Sequence, residues 1–306
     1  MLRIGVDFGG TKIAYGLYDE GMRLLDRGRV RTEVDAAPTD VIDSMARDIT
    51  GLVARAGRAM SEVVGVGVGF PSHIDFDGGR VIIATNLPVW EDVPLRDLLS
   101  ARLSLPVWVD NDTNTAALAE HRLGAGQGAR HMAYMTISTG IGCGFIINGD
   151  MYRGTHGFAG ELGQIFVSDT HGYGNERMNP GVIQSIASGP RLARMARERI
   201  AGGRESRILH HAGTPDAIDC EHIGLALAED DALATEIVDF AAHYLGRTLC
   251  SLYELMDLGV IVYGGGVTKL GPRLTGGMID AFYALSHGAR KRPVDFRPAA
   301  LGDDAG

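Results

Sequence analysis

Two short glycine-rich segments combine residue types that can hold a polyphosphate. They are Asp7-Phe-Gly-Gly-Thr-Lys12 and Ser138–Gly144, and each lies between apolar runs with the composition of β-strands. Glycines at a tight turn let backbone N–H groups approach phosphate oxygens without a Cβ atom in the way. The candidate contacts are Gly9, Gly10, Thr11, Lys12, Ser138, Thr139, Gly140 and Gly142. Together the segments predict a phosphate clamp with two lobes.

For either segment alone, an ordinary tight hairpin is the better interpretation. The informative feature is the recurrence of strand, glycine turn and strand, which is a weak internal repeat. The sequence has no G-x-x-x-x-G-K-[ST] loop and no strand–G-x-G-x-x-G–helix unit. Neither a Walker loop nor a dinucleotide-binding fold is therefore indicated.

The acidic segment Asp110-Asn-Asp112 follows a short apolar run, Val107–Val109, that predicts a buried strand. Ligand sites of open α/β sheets lie at the carboxyl ends of the strands. Phosphoryl transfer to a hydroxyl needs an aligned acceptor and a group that takes its proton, which Asp112 could do. Asn111 could bind sugar hydroxyls. Capping of a helix beginning near Asn114 is the alternative, and it is plausible for one of the three residues.

Two further segments leave their roles open. Glu161 is the carboxylate of the glycine-rich stretch Gly157–Gln164, and it is either a second sugar ligand or a surface acid. Gly264, Gly265 and Gly266 follow the apolar run Val260–Tyr263. These glycines make either a plain strand-to-helix turn or a flat surface for a purine or ribose.

Length and charge bound the class of protein. The chain has 306 residues, of which 45% are hydrophobic and 22% charged, and this length suggests about two domains. The formal charge of −9 argues against nucleic acid as a partner. No apolar run reaches the roughly 20 residues of a membrane span, and no signal segment opens the chain, so we expect a cytoplasmic protein without membrane association.

Strands and helices alternate along the chain, which predicts an α/β fold. Expected strands include residues 28–32 and Val63–Phe70, and expected helices include residues 38–59, Leu95–Leu103 and Ala232–Met256. The predicted domains are residues 1–118 and 119–306.

In order along the chain, these segments resemble the ROK family of sugar kinases, within the superfamily of actin-like ATPases. The resemblance runs from residue 2 to about residue 306. The matching segments are Asp7–Lys12, Gly69–Asp75, Asn86–Pro88, Asp110–Asn114, Ser138–Gly144, Gly160–Gly163, Ser188–Pro190 and Gly264–Val267.

The resemblance implies a two-domain actin-like ATPase (ribonuclease H-like) fold, with a mixed sheet in each domain, that closes over ATP-Mg²⁺ and a hexose. It assigns the catalytic base to Asp112 and sugar binding to Asn111 and Glu161. Asp7 would help to organise Mg²⁺, through water. The two hairpins become the phosphate loops, and Gly264–Gly266 become the edge of the adenosine pocket. Asn86 is a further expected sugar contact.

The sequence departs from the family at its zinc site. Gln164 stands where the family has a histidine, and residues 175–184 lack the three cysteines of the family's C-x-C-G-x-x-G-C-x-E stretch. The three cysteines present, at positions 143, 220 and 250, have no zinc-site spacing. Since zinc prefers thiolate and imidazole ligands, we predict no structural zinc and a different packing of residues 164–184.

The same departures bear on the sugar, because in the family the histidine and the last glutamate of that stretch also contact it. Gln164 and Gln184 keep the hydrogen-bonding capacity without the charge or the titratable ring. A glucose-like or amino-modified hexose such as glucose, kanosamine or an N-acetylhexosamine is therefore the expected substrate, phosphorylated at its 6-hydroxyl.

A non-catalytic sugar sensor, like the repressors of the family, is the alternative function. Those repressors carry an N-terminal helix-turn-helix domain, whereas this sequence opens on the strand before the first glycine hairpin. The Asn111–Asp112 pair also favours catalysis. Inorganic polyphosphate is the alternative donor, although Gly264–Gly266 favour ATP, and a homodimer is the expected assembly.

Overall fold

The computed structural model describes residues 1–84, 87–174 and 178–302. The chain forms two compact units, each with its own hydrophobic core. The first unit contains Met1–Ala119 and the later segment Tyr152–Ala159, and the second contains Glu120–Met151 and residues 160–302. The boundary near residue 118 stays a prediction. None of the helices in the described ranges has the length and apolar character needed to cross a membrane.

A mixed five-stranded sheet forms the first unit, with strand order β3-β2-β1-β4-β8. The strands of this unit are β1 (Leu2–Phe8), β2 (Lys12–Tyr18), β3 (Leu24–Arg31), β4 (Val63–Phe70), β5 (His73–Asp75), β6 (Arg80–Ile83), β7 (Glu91–Val93) and β8 (Val107–Asn111). Its helices are α1 (Pro38–Arg55), α2 (Leu95–Leu103) and the part of α3 (Asp112–Leu123) up to Ala119. The three strands β1, β2 and β3 are antiparallel neighbours, and β1, β4 and β8 run parallel. Strands β5, β6 and β7 form a small separate sheet.

Alternation of apolar residues explains the first core. Every second side chain of β1 is buried, beginning with Leu2, and α1 buries residues at helical spacing from Val41 to Val53. Phe8, Phe70 and Trp90 complete this core, with ring centroids 4.4–5.1 Å apart. Such offset and edge contacts are the arrangements that aromatic rings prefer.

The second unit contains another mixed sheet, with order β11-β10-β9-β12-β13. Its strands are β9 (Met132–Ile137), β10 (Ile141–Ile147), β11 (Asp150–Tyr152), β12 (Val260–Gly264) and β13 (Asp295–Pro298), and its helices are α4 (Ile183–Ala187), α5 (Gly189–Ala201), α6 (Arg207–Ala212), α7 (Cys220–Ala228), α8 (Ala232–Met256), α9 (Pro272–Leu285) and α10 (His287–Lys291). Strand β9 pairs antiparallel with β10 and parallel with β12, as β1 pairs with β2 and β4. The weak repeat in the sequence is therefore a repeat of sheet topology.

The predicted α/β class with a mixed sheet in each part is confirmed. Helix α1 ends at Arg55, earlier than predicted, and α3 begins at Asp112 instead of Asn114. Strand β8 is not buried throughout, because Trp108 is 53% exposed. Its ring lies beside Gly65, where an added Cβ would come within 2.5 Å of Trp108 Cζ3.

Candidate active site

The first glycine segment is the turn between β1 and β2. The Gly9 N–H donates to the Lys12 carbonyl oxygen at 2.8 Å, and a Cβ on Gly9 would lie 2.9 Å from the same oxygen. A side chain at position 9 would therefore crowd the bond that closes the turn. Gly10, Thr11 and Lys12 are exposed at its tip. The backbone and ammonium donors of this turn are thus open to a ligand.

Thr32, which follows β3, fixes the shape of this turn, and sequence reasoning missed it. Its hydroxyl donates to the Gly9 carbonyl oxygen at 2.6 Å, and its N–H donates to the Thr11 carbonyl oxygen at 3.0 Å. Thr32 is buried, although β3 is largely exposed. The sequence shows only a threonine at the end of an expected strand, so it carries no signal for this role.

Asp7 lies near the carboxyl end of β1 and is half-buried. Burial raises the pKa of its carboxyl above the ordinary value, and the nearby Lys12 ammonium partly offsets this effect. Across the sheet, Asp7 is in register with Gly69 on β4, and Gly69 is in register with Asp110 on β8. With neighbouring strands about 4.8 Å apart, Asp7 and Asp110 stand about 10 Å apart on one edge of the sheet.

Gly69 lets α3 start close against this edge. A Cβ added at Gly69 would lie 2.7 Å from Thr115 Oγ1 and 3.5 Å from Asp112 Cα. A side chain at position 69 would therefore collide with the Thr115 hydroxyl in α3.

Asn111 caps α3, so the capping interpretation holds for this residue. Its Oδ1 accepts hydrogen bonds from the N–H groups of Thr113 and Asn114 at 2.9 and 3.2 Å. Its Nδ2 donates to the Ser72 carbonyl oxygen at 3.1 Å. Within the described residues, this bond uses one of the two Nδ2 hydrogens.

Asp112 is the first residue of α3 and is half-buried. Its Oδ1 accepts from the Thr113 N–H at 2.7 Å. The positive end of the helix dipole stabilises a negative charge at this position. Asp112 is thus a fixed carboxylate at the edge of the sheet that also carries Asp7 and the first glycine turn.

Asp110, in contrast, is occupied by structural contacts. Its Oδ2 accepts from Arg153 Nε at 2.9 Å and from Arg153 Nη2 at 2.8 Å, and its Oδ1 accepts from Asn114 Nδ2 at 3.0 Å. The sequence patterns contained no signal for Arg153, which lies more than forty residues later in the chain.

The second glycine segment is the turn between β9 and β10. The Ser138 N–H donates to the Gly140 carbonyl oxygen, and the Gly189 N–H donates to the Ser138 carbonyl oxygen, both at 2.8 Å. The N-terminus of α5 is thereby joined to the turn. Thr139 is exposed at the tip, and Gly142 is within β10, paired with Thr136.

The glycines after β12 lie against the same turn. Gly265 has a φ of +95°, and a Cβ there would lie 2.4 Å from the Ile137 carbonyl oxygen. An ideal Cβ on Gly266 would lie 3.8 Å from Ser138 Oγ, which is ordinary contact. Gly264 precedes them at the end of β12. The structure thus brings the strand-end glycines and the second hairpin together.

The predicted sugar residues of the second unit divide into two kinds. Glu161 and Gln164 are exposed, at the start and end of a short 3₁₀ turn. Gln184, on α4, directs its Oε1 to the Ile141 N–H at 2.9 Å. Asn86 lies outside the described residues.

Hydrogen bonds connect the described residues on either side of the segment where the family has its zinc motif. The Ile183 N–H donates to the Ile165 carbonyl oxygen at 2.9 Å, and Tyr244 Oη lies 3.1 Å from His171 Nδ1. In the described ranges, no three or more His, Cys, Asp and Glu side chains are grouped to hold a metal ion.

Two sheets of one topology, each with a glycine turn between its two central antiparallel strands, define the actin-like ATPase fold. The chain belongs to the ROK family, whose profile matches residues 3–306.

Curated relatives and a solved structure share nearly the whole chain. A glucokinase of Streptomyces coelicolor is 35% identical over 312 residues, covering 100% of this chain and 95% of that protein. A glucokinase of Halalkalibacterium halodurans is 33% identical over 303 residues, covering 99% and 92%. The crystal structure of a ROK family glucokinase from Streptomyces griseus in complex with glucose and AMPPNP has a TM-score of 0.85 and 33% identity, covering 100% and 96%.

Proposed function

We propose that this protein transfers the γ-phosphoryl group of ATP to the 6-hydroxyl of a glucose-like or amino-modified hexose, with Asp112 as the general base. The class of reaction is that of an ATP-dependent sugar kinase. The position of the reacting hydroxyl, the particular hexose and the role of Asp112 are the proposed parts.

One observation carries the role of Asp112. Asp112 follows β8 directly, and the first glycine turn follows β1, on the same edge of one sheet. The registers of β1, β4 and β8 set Asp7, which precedes the turn, and Asp110, two residues before Asp112, about 10 Å apart. A phosphoryl group held by the turn and a hydroxyl held beside Asp112 can therefore meet between them.

In the proposed reaction, different residues bind the phosphates, orient the sugar and accept the proton. The N–H groups of the two glycine turns and the Lys12 ammonium would bind phosphate oxygens. Asn111 Nδ2 and Glu161 would orient sugar hydroxyls. Asp112 would accept the proton of the 6-hydroxyl as its oxygen attacks the γ-phosphorus and the bond to the β-phosphate oxygen breaks.

The half-buried carboxylate of Asp7 fits a cation, because a positive charge would offset the desolvation that raises its pKa. Mg²⁺ is bound in many phosphoryl-transfer sites by one or two carboxylates and the substrate phosphates, so Asp7 would hold it there. When bound, it neutralises charge on the phosphate oxygens.

The hexose is proposed from the glucokinases to which the chain is similar and from its own glutamines. Gln164 is exposed and uncharged, where a histidine is the family's residue. An amide can both donate and accept, so it suits either a hydroxyl or an amino substituent of the sugar.

ADP release should be measured with ATP and a panel of kanosamine, glucose, mannose, N-acetylglucosamine, N-acetylmannosamine, fructose and allose. We expect one sugar to have a much higher kcat/KM than the others and its product to be the 6-phosphate by NMR. A folded protein that binds ATP and sugar but releases no ADP would contradict the proposal and favour a sugar sensor.

A further inference from the structure

The segment Tyr152–Ala159, here called the strap, belongs to the first unit and carries an ion pair to the strand before the candidate base. Arg153 places Nε and Nη2 at 2.9 and 2.8 Å from Asp110 Oδ2. The side chains are only 23% and 11% exposed. The guanidinium carbon also lies 3.6 Å from the centroid of the Phe76 ring. A paired and stacked arginine in such a site holds one geometry.

The other oxygen of Asp110 holds the start of α3. Asp110 Oδ1 accepts from the Asn111 N–H at 2.8 Å and from Asn114 Nδ2 at 3.0 Å. Asn114 is 2% exposed, and its Oδ1 has no hydrogen-bond partner within the described ranges. The orientation of the Asn114 side chain therefore depends on its bond to Asp110.

We infer that Arg153 is a positioning residue for phosphoryl transfer: through Asp110 it fixes the first turn of α3 and so the carboxylate of Asp112. This inference rests on the proposed role of Asp112 as the base. Asn111 and Asn114 transmit the constraint, since both bond to Asp110 and both lie in or beside the first turn. A base that is misplaced by about 1 Å can lose roughly 100-fold in rate.

Charge explains why an arginine is needed and not merely a bulky side chain. Without Arg153, the buried Asp110 carboxylate would lose its counter-charge two residues before Asp112. Removal of one partner from a buried pair is more disruptive than removal of both, because it leaves an uncompensated charge. The Arg153→Gln variant should therefore be impaired more than the Arg153→Gln/Asp110→Asn double variant.

The test compares kcat and KM in the variants with the hexose selected by the panel. For Arg153→Gln we expect kcat to fall about 10- to 100-fold while KM for ATP changes less than about threefold. The double variant should recover at least about fivefold in kcat over Arg153→Gln. Arg80→Gln is the matched control: Arg80 pairs with Asp92 at 2.8 Å in the same unit, but the Asp92 side chain is 72% exposed. Its kcat should equal that of the parent.

Thermal unfolding of each variant separates misplacement from loss of fold. A folded Arg153→Gln with the parent's kcat would overturn the inference, as would a double variant no better than the single one. Asp112→Asn is assayed in parallel. If Asp112→Asn is inactive and Arg153→Gln fully active, the inference alone fails; if Asp112→Asn turns over normally, the proposed base fails and this inference with it.

Discussion

Gln184 Oε1 accepts a hydrogen bond of 2.9 Å from the backbone N–H of Ile141, the first residue after the second glycine turn. Ideal Cβ atoms on Gly140 and Gly163 would each lie 2.9 Å from the same oxygen. One amide group of α4 is thus enclosed by the turn and by the segment after Glu161. Gln184, predicted as a sugar ligand, has its oxygen bonded beside the second glycine turn, which we propose to bind phosphate.

Replacement of Gln184 should therefore weaken the binding of ATP more than the binding of the sugar. In Gln184→Ala the N–H of Ile141 loses its hydrogen-bond acceptor, and the second glycine turn loses a bond that holds its position. We expect KM for ATP to rise about tenfold and KM for the hexose to change less. Gln164→Ala, at an exposed position, serves as the comparison and should change only KM for the hexose. A rise confined to the KM for hexose in Gln184→Ala would restore the sugar-binding interpretation.

Asp112→Asn tests the proposed base. The amide keeps the size of the side chain and can still accept from the Thr113 N–H, but it cannot take the proton of the hydroxyl. We expect kcat to fall at least about 100-fold with little change in hexose affinity, measured by steady-state kinetics and calorimetric titration. Turnover close to that of the parent would remove Asp112 from this role.

The sequence predicts most of the fold because its elements have strong local patterns. Val63–Phe70, Leu95–Leu103 and Ala232–Met256 have the predicted bounds, since apolar runs and helical periodicity mark them along their whole length. Strand β3 begins earlier than predicted, at Leu24, because its pairing with β2 extends to Tyr18, and α1 ends at Arg55, shortly before Gly57, whose φ is +69°.

The site was predictable only where its residues are neighbours in sequence. The sequence predicts Asp110-Asn-Asp112 as one candidate segment, but it does not predict the separate structural roles of Asn111 and Asp110. Asn111 caps α3 because that helix begins two residues earlier than predicted. Asp110 forms an ion pair with Arg153 of the strap, which lies far away in sequence. Contacts such as these depend on tertiary packing, which no local pattern encodes.

Gly265→Ala should be far more harmful than Gly266→Ala. Gly265 has a φ of +95°, which side-chain-bearing residues rarely adopt, and its added Cβ would collide with the Ile137 carbonyl oxygen at 2.4 Å. The adjacent glycine has ordinary room, with Ser138 Oγ at 3.8 Å. We expect Gly265→Ala to lower Tm by several degrees, because the shift in Tm is roughly the loss of unfolding free energy divided by the entropy of unfolding. Gly266→Ala should leave Tm nearly unchanged. Equal Tm values in differential scanning fluorimetry would refute the steric argument.

Metal analysis tests the predicted lack of structural zinc. In the described part of residues 164–184, the Ile183 N–H bonds to the Ile165 carbonyl oxygen, and His171 Nδ1 lies within hydrogen-bond distance of Tyr244 Oη. We expect far less than one zinc per chain in protein purified without chelator, and no change of Tm on addition of EDTA. A stoichiometric zinc content would overturn this prediction.

Asp7→Asn should stabilise the protein at neutral pH while it impairs catalysis. Burial raises the pKa of Asp7 above the value of 3.8 that it has in an unfolded chain. The native state therefore binds more protons than the unfolded state between these two pKa values, so the contribution of Asp7 to stability falls as pH rises through that window. An asparagine carries no charge and avoids this loss. The Tm of Asp7→Asn should thus exceed that of the parent at about pH 8, and the difference should shrink toward about pH 4.

Asp19 provides a control, because its pKa is shifted in the opposite direction from that of Asp7. The hydrogen bond from the Arg23 N–H holds the pKa of this exposed carboxyl below its ordinary value, so its charged form favours folding. Asp19→Asn should therefore not raise Tm at about pH 8, and any loss of stability should disappear as the pH falls through the native pKa. If Asp7→Asn gained no stability over Asp19→Asn at about pH 8, the desolvation of Asp7 would not be the cause of its raised pKa. A gain together with a loss of kcat would identify Asp7 as a carboxylate kept for its charge, at the expense of folding stability.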